Sequence, residues 1–178
     1  AWAKEGASEP MGASGGPIGN RAGVRLEVSQ VGAAVAGAER TGIRSSPVTP
    51  ANDVSDSNPQ PLFDHIVDQL NALKLTYIHV IEGATGGARD MPERPFDYAA
   101  LKSAYRDAGG KGAWMVNNGY DKALAEPAVK NGADLVSFGK VFIPNPYLVA
   151  RRLSNATPHE PEPAPFSGSG PEGYPAYL

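Results

Sequence analysis

Two short runs in the second half of the chain carry residue types suited to holding an anion. One is Asn118-Gly119 within "MVNNGYDKALAE" and the other is Gly139-Lys140 within "LVSFGKVFIPNP". Each follows an apolar, strand-like run. A glycine in such a turn lets backbone N–H groups come close to an anion, and a lysine adds positive charge. Two such turns read as the jaws of a clamp on one phosphate. A further cation, Arg44 in "TGIRSS", ends another short strand-like run. Taken alone, Arg44 reads as a strand-end arginine in a surface ion pair and Lys140 as a solvated lysine. Only their surroundings give them sharper roles.

Other chemistries find less support. With no cysteine in 178 residues, disulfides, thiolate zinc sites and cysteine nucleophiles are excluded, and a reducing, cytoplasmic setting fits. The histidines at 65, 79 and 159 lack metal-ligand spacing, so no metal is expected, and His79 on a strand reads as a packed side chain rather than a base. Asp53, Asp56 and Asn58 resemble a calcium loop only in composition; the EF-hand spacing and terminal Glu are missing, which favours caps and turns. Glu82 ends a strand, where a site residue and a structural carboxylate are equally at home. The net charge of -3 gives no reason to expect a nucleic-acid partner. No apolar run approaches the roughly 20 residues that span a bilayer, so no membrane association is expected. No secretory segment follows Ala1, and a first residue other than Met suggests a start inside a longer protein or after processing.

The elements that must position these residues follow from periodicity. Residues 1–17 have no apolar period and read as a loop or disordered arm. Val24, Leu26, Val28, Val31 and Val35 then recur at spacings that a helix gathers mostly onto one stripe, with Asn20 or a nearby residue as its cap. Arg40–Ser45 reads as a short strand, 47–61 as a long polar loop, and 62–73 as a helix presenting Phe63, Ile66, Val67, Leu70 and Leu73. "LTYIHVIEG" is the clearest strand, and a helix over 97–110 stops at Gly109-Gly110. "GAWMVNN" is a strand with Trp114 and Met115 in the core. A helix over 121–130, a strand "ADLVSFG" and a helix "NPYLVARRL" complete the folded part, and 154–178 read as an extended tail. Four parallel strands are expected near 41–45, 76–82, 112–116 and 134–138, joined by helical crossovers. Strand starts separated by roughly 35, 35 and 22 residues match β/α barrel units. Four such units make half of a (β/α)8 TIM-type barrel over residues 18–153, or a small open parallel sheet.

Beyond periodicity, "TGIRSSPVTPANDVSDSNP", "YIHVIEG", "MVNNGYDKALAEPAVKNGADLVSFGKVFIPNPYLVARRL" and "GPEGYPAYL" occur in an order that resembles the second half of the old yellow enzymes. These are FMN-dependent ene reductases on a (β/α)8 barrel. "GGPIGNR" is similar to the family's loop into its fourth helix, so the resemblance runs from about Gly15 to the C-terminus. It implies an NAD(P)H-dependent oxidoreductase of activated alkenes such as enones, with this chain carrying the half that binds the FMN phosphate. Residue by residue, it implies that Arg44 approaches the pyrimidine side of the flavin, where a guanidinium favours the charge of the reduced ring. Asn118 with Gly119 and Gly139 with Lys140 are implied to meet the phosphate. Arginine is usual where Lys140 stands, and lysine keeps the charge without the two-pronged fork. Phe166 is implied to form one wall on the substrate side, while Ser167 stands where a tyrosine is usual. "SEPMGAS" likewise puts small residues in place of specific ones.

The family's catalytic groups, a His-Asn or His-His pair and a proton-donating Tyr, belong to the first half and have no counterpart motif here. An alternative is therefore a catalytically inert half-barrel that binds FMN or phosphate only, or that pairs its exposed strand edges with another copy or with a first-half chain. A barrel that clamps a different phosphate ligand is the third reading, and "VNNGYD" and "GPEGY" count against it.

Overall fold

Period-two alternation sends Ile78 and Val80 of one strand, and Trp114 and Val116 of the next, to a common face where helices bury them. The computed structural model describes residues 15–50 and 55–161. Strands β1 (Gly42–Ser45), β2 (Tyr77–Ile81), β3 (Ala113–Asn117) and β4 (Leu135–Ser137) form one sheet in chain order, and every neighbouring pair is parallel. Helices α1 (Ile18–Ala36), α2 (Pro59–Asn71), α3 (Tyr98–Asp107), α4 (Lys122–Lys130) and α5 (Leu148–Leu153) complete the chain, with a 3-10 turn at Ala38–Arg40. Of the arm over 1–17 only residues 15–17 are described, and of the tail over 154–178 only residues 154–161.

Helix α2 supplies five residues of the core. Pro59 sits in its first turn, where the missing N–H costs nothing, and Leu62, Phe63, Ile66, Val67 and Leu70 fall on one buried stripe. Helix α3 is capped by Asp97, which accepts the Ala100 N–H at 2.8 Å, and α4 by Asp121, which accepts the Leu124 N–H at 2.8 Å. Tyr105 packs its ring 5.7 Å from that of Trp114, and its hydroxyl accepts the Gly112 N–H at 3.0 Å. That hydrogen bond lets a large aromatic be buried without stranding its polar end. Asn145, fully buried, pins the chain beyond α5: its amide donates to Val141 O and His159 O, and it accepts the His159 N–H at 2.7 Å.

Several expectations need correction. Helix α1 starts at Ile18, so Asn20 lies inside it and no side chain caps it. Its valine stripe is not buried: Val28, Val31 and Val35 are 68%, 63% and 82% exposed. Helix α1 instead buries Arg21, Ala22 and Ser29, because polar contacts fix its packing face. Arg21 pairs with Asp56, and Arg25 donates to Arg44 O and to Ser45 Oγ at the end of β1. Asp56 also accepts the Asn58 N–H at 3.0 Å, which is turn chemistry rather than cation binding. Helix α2 begins at Pro59, ahead of the expected 62. Trp114 is core, but Met115 points to the opposite, helix-free face and is only half-buried.

Ile66→Ala should cost about 2–5 kcal/mol, the range for emptying a fully buried aliphatic site. Val31→Ala should stay within about 0.5 kcal/mol, as exposed positions do. Urea denaturation compares the two; equal losses would restore the valine stripe as the buried face.

Candidate functional site

Parallel pairing delivers the C-terminal ends of all four strands to one rim, where β/α units place their chemistry. At the end of β3, Asn118 and Gly119 both take positive φ, +98° and +64°. Asparagine tolerates that region when its side chain is held locally. Here the Asn118 amide donates to Glu82 O at 2.6 Å and Ala84 O at 2.9 Å, so its side chain is occupied within the fold. Its backbone is not. The N–H groups of Asn118, Gly119, Gly139 and Lys140 find no hydrogen-bond acceptor among the described residues.

These two turns meet around one cleft of about 440 Å³, whose walls also include Gly86, Gly87, Ser137 and Glu160. A Cβ added to Gly139 would meet nothing within 4 Å, so the missing side chain there leaves room rather than relieving a clash. Free N–H donors, a lysine and open space beside a glycine fit a phosphate-sized anion. Exposed Glu160 is the one acid on the lining among the described residues, and it opposes an anion there.

Arg44 does not join this cleft. It is exposed, on the helix-free face of edge strand β1, in register with His79. Its side chain has no ion-pair partner among the described residues. His79 lies 3.4 Å from Ser137 Oγ, and burial first, then the Arg44 charge, hold its imidazole below the ordinary histidine range. Phe166 lies outside the described residues. Among the described residues, no cluster of His, Cys, Asp or Glu could hold a metal ion, and no helix is long and apolar enough to cross a membrane.

Sequence reasoning left Glu82 without a partner and passed over Arg89 and Tyr120. The three form a closed ring. Arg89 Nε donates to Glu82 Oε2 at 2.8 Å, Arg89 Nη2 to the Tyr120 hydroxyl at 2.9 Å, and that hydroxyl to Glu82 Oε2 at 2.8 Å. Burial, then the bond to Glu82, raises the Tyr120 phenol well above its usual range, so it stays a donor. Tyr98 accepts the Gly83 N–H at 2.7 Å, and Thr49 donates to Gly83 O at 2.9 Å, bracing the loop after β2 from two sides. A nearly buried carboxylate at a strand end, which must find a cation, was the available signal.

Comparison with known proteins converges on one family. Residues 11–159 match the model of the NADH:flavin oxidoreductase / NADH oxidase family. The chain is 34% identical over 177 residues to a putative 12-oxophytodienoate reductase 10 of Oryza sativa subsp. japonica, covering 98% of this chain and 56% of that protein. It is 34% identical over 164 residues to a probable flavin mononucleotide-dependent alkene reductase of Leishmania infantum, covering 92% of this chain and 42% of that one. The structure of an old yellow enzyme homologue from Zymomonas mobilis superposes with a TM-score of 0.89 at 26% identity, over 99% of this chain and 49% of that one. The chain thus spans about half the length of the relatives it matches, as four β/α units of an eight-unit barrel should.

Because the folded-state pKa of His79 is depressed, its neutral form costs nothing above the unfolded value of about 6.5. As pH falls below that value, the unfolded state takes up the proton first and stability declines. Denaturation midpoints measured between pH 7.5 and pH 5 should fall less steeply in His79→Asn; parallel slopes would show that His79 carries none of the dependence.

Proposed function

Since the chain belongs to the NADH:flavin oxidoreductase / NADH oxidase family, we propose that it holds the phosphate of FMN between the turns at Asn118-Gly119 and Gly139-Lys140. The observation carrying this reading is that one cleft is lined by four residues whose backbone N–H groups have no acceptor among the described residues, one of them a lysine. Backbone donors fix where the phosphate oxygens sit, and Lys140 supplies a charge without fixed geometry. Arg44, on the helix-free face and without an ion pair among the described residues, would approach the pyrimidine side of the ring and stabilise negative charge there. Phe166 would wall the substrate side.

When bound, FMN would supply electron transfer from NAD(P)H to an activated alkene; one relative of this chain is named a probable flavin mononucleotide-dependent alkene reductase. The residues seen here bind and orient the cofactor. In this reading residues 18–153 are the C-terminal half of the barrel, 1–17 an arm and 154–178 a tail. NADPH as reductant, enones as substrates and a cytoplasmic setting belong to the same proposal. A second reading, of a half-barrel without turnover that pairs with another copy or a first-half chain, draws on the sheet: β1 and β4 are edge strands, and Leu135 is 43% exposed on the helix-free face.

FMN titration of the full chain, followed by flavin fluorescence, tests the clamp. Lys140→Ala should weaken binding about tenfold or more, the scale of one charge-assisted hydrogen bond. Glu160→Gln should not weaken it, since it removes an opposing charge. Unchanged affinity in Lys140→Ala would leave that lysine merely solvated.

Turnover is a separate matter. Positioning of the alkene and a placed proton donor, the latter typically worth about 10²–10⁴-fold, are assigned by the resemblance to the other half of the barrel. NADPH consumption with cyclohexenone under anaerobic conditions should therefore stay near background for the FMN-loaded chain. Turnover matching that of an intact relative would mean that the other half is not needed.

A further inference from the structure

Gly119 is flanked by two residues that are both tied to the segment after β2. On one side, the Asn118 amide donates to Glu82 O and Ala84 O. On the other, the Tyr120 hydroxyl donates to Glu82 Oε2 and accepts from Arg89. Gly119 itself is exposed, has φ of +64°, and carries no side chain to hold it. The direction of its N–H is therefore set by its neighbours' anchors, and those anchors converge on Glu82.

Glu82 can serve as an anchor only if its charge is matched. Its side chain is nearly buried, and a buried carboxylate without a cation is costly. Arg89 is the matching cation, and its guanidinium does three things. It pairs with Glu82 through Nε at 2.8 Å, donates to Tyr120 through Nη2 at 2.9 Å, and lies 4.1 Å from the centre of the Tyr120 ring. A planar fork suits these tasks, and a lysine cannot perform them together. The base of the Arg89 side chain flanks the turn as well: its Cβ lies 3.8 Å from a Cβ built on Gly119.

Resting on the FMN-phosphate reading above, we propose that Arg89 is a positioning residue for the clamp. It neutralises Glu82 and locks Tyr120, and so holds the Asn118 and Gly119 N–H groups where a phosphate can meet them. It also keeps the charge of Glu82 from repelling that phosphate. Without Arg89, the carboxylate beneath the turn would be uncompensated, the Tyr120 anchor would lose one of its two partners, and the turn would sample other orientations.

Comparing FMN with riboflavin, which lacks the phosphate, separates this role from general stability. The full chain and its Arg89→Gln and Arg89→Lys variants are titrated with both ligands, and amide hydrogen exchange is followed at residues 118–120 and in β2. In Arg89→Gln the preference for FMN over riboflavin should fall about tenfold, the size seen when groups that orient ligating atoms are removed. Exchange should quicken at 118–120 and not in β2. Arg89→Lys should lie between this variant and the wild type, and it carries the same readout if the glutamine variant does not fold. A wild type that prefers FMN, with variants that keep the full preference, overturns this inference alone. A wild type that binds FMN no more tightly than riboflavin overturns the flavin reading and this inference with it.

Discussion

Parallel pairing from β1 to β4 brings segments far apart in the chain to a single rim, and the rest of the molecule is arranged around that meeting. Residues 82–89, 117–120 and 137–140 become neighbours there only because the register sets Ile81 beside Asn117 and Asn117 beside Ser137. A slip by one residue would turn Trp114 and Val116 away from the helices and Met115 toward them. The buried helix-side face therefore fixes the geometry of the opposite rim. Core packing and site geometry share one register.

The strands and turns were legible because their signals are local. Period-two apolar runs such as "YIHVI" and "AWMVN" specify a strand without reference to anything distant, and Asp97 and Asp121 mark helix starts within a few residues. What escaped depends on partners distant in sequence. Helix α1 looked amphipathic by its valines, yet Arg21 with Asp56, and Arg25 with the end of β1, decide which side faces inward. Hydrophobic spacing does not register an ion pair across 35 residues. The ring of Glu82, Arg89 and Tyr120 escaped for the same reason, since its members gain meaning only once β2 and β3 pair. Conversely, Asn118 was read from the sequence for its backbone, while the structure gives its side chain an equal part in holding the turn.

Helices cover one face of the sheet, and the other displays Arg44, Tyr77, His79, Met115, Asn117, Leu135 and Ser137. This mixture is too polar for a dry core and too apolar for a fully wetted surface. It suits the interior side of a curved sheet whose far wall comes from elsewhere, in keeping with relatives about twice as long. Tyr77 lies across Gly42 so closely that a Cβ there would fall 2.3 Å from its ring, which gives this face some packing of its own. Functional groups on such a face need little local burial, because their rigidity is inherited from the strands beneath them.

The turn at Asn118 also bears on how the protein ages. Asn-Gly pairs are the sequences most prone to deamidation, in which the following backbone nitrogen attacks the asparagine side chain through a cyclic imide. This chain has two, Asn118-Gly119 and Asn131-Gly132. Asn131 sits exposed at the end of α4, and its side chain makes no hydrogen bond among the described residues. The Asn118 amide is buried and held by two carbonyls, which resist the rotation that the attack requires. Chemical damage during storage should therefore accumulate at Asn131 while the rim stays intact, and peptide mapping of an aged sample would reveal the opposite order if the Asn118 tether were loose. The same two hydrogen bonds that shape the turn also set its chemical lifetime.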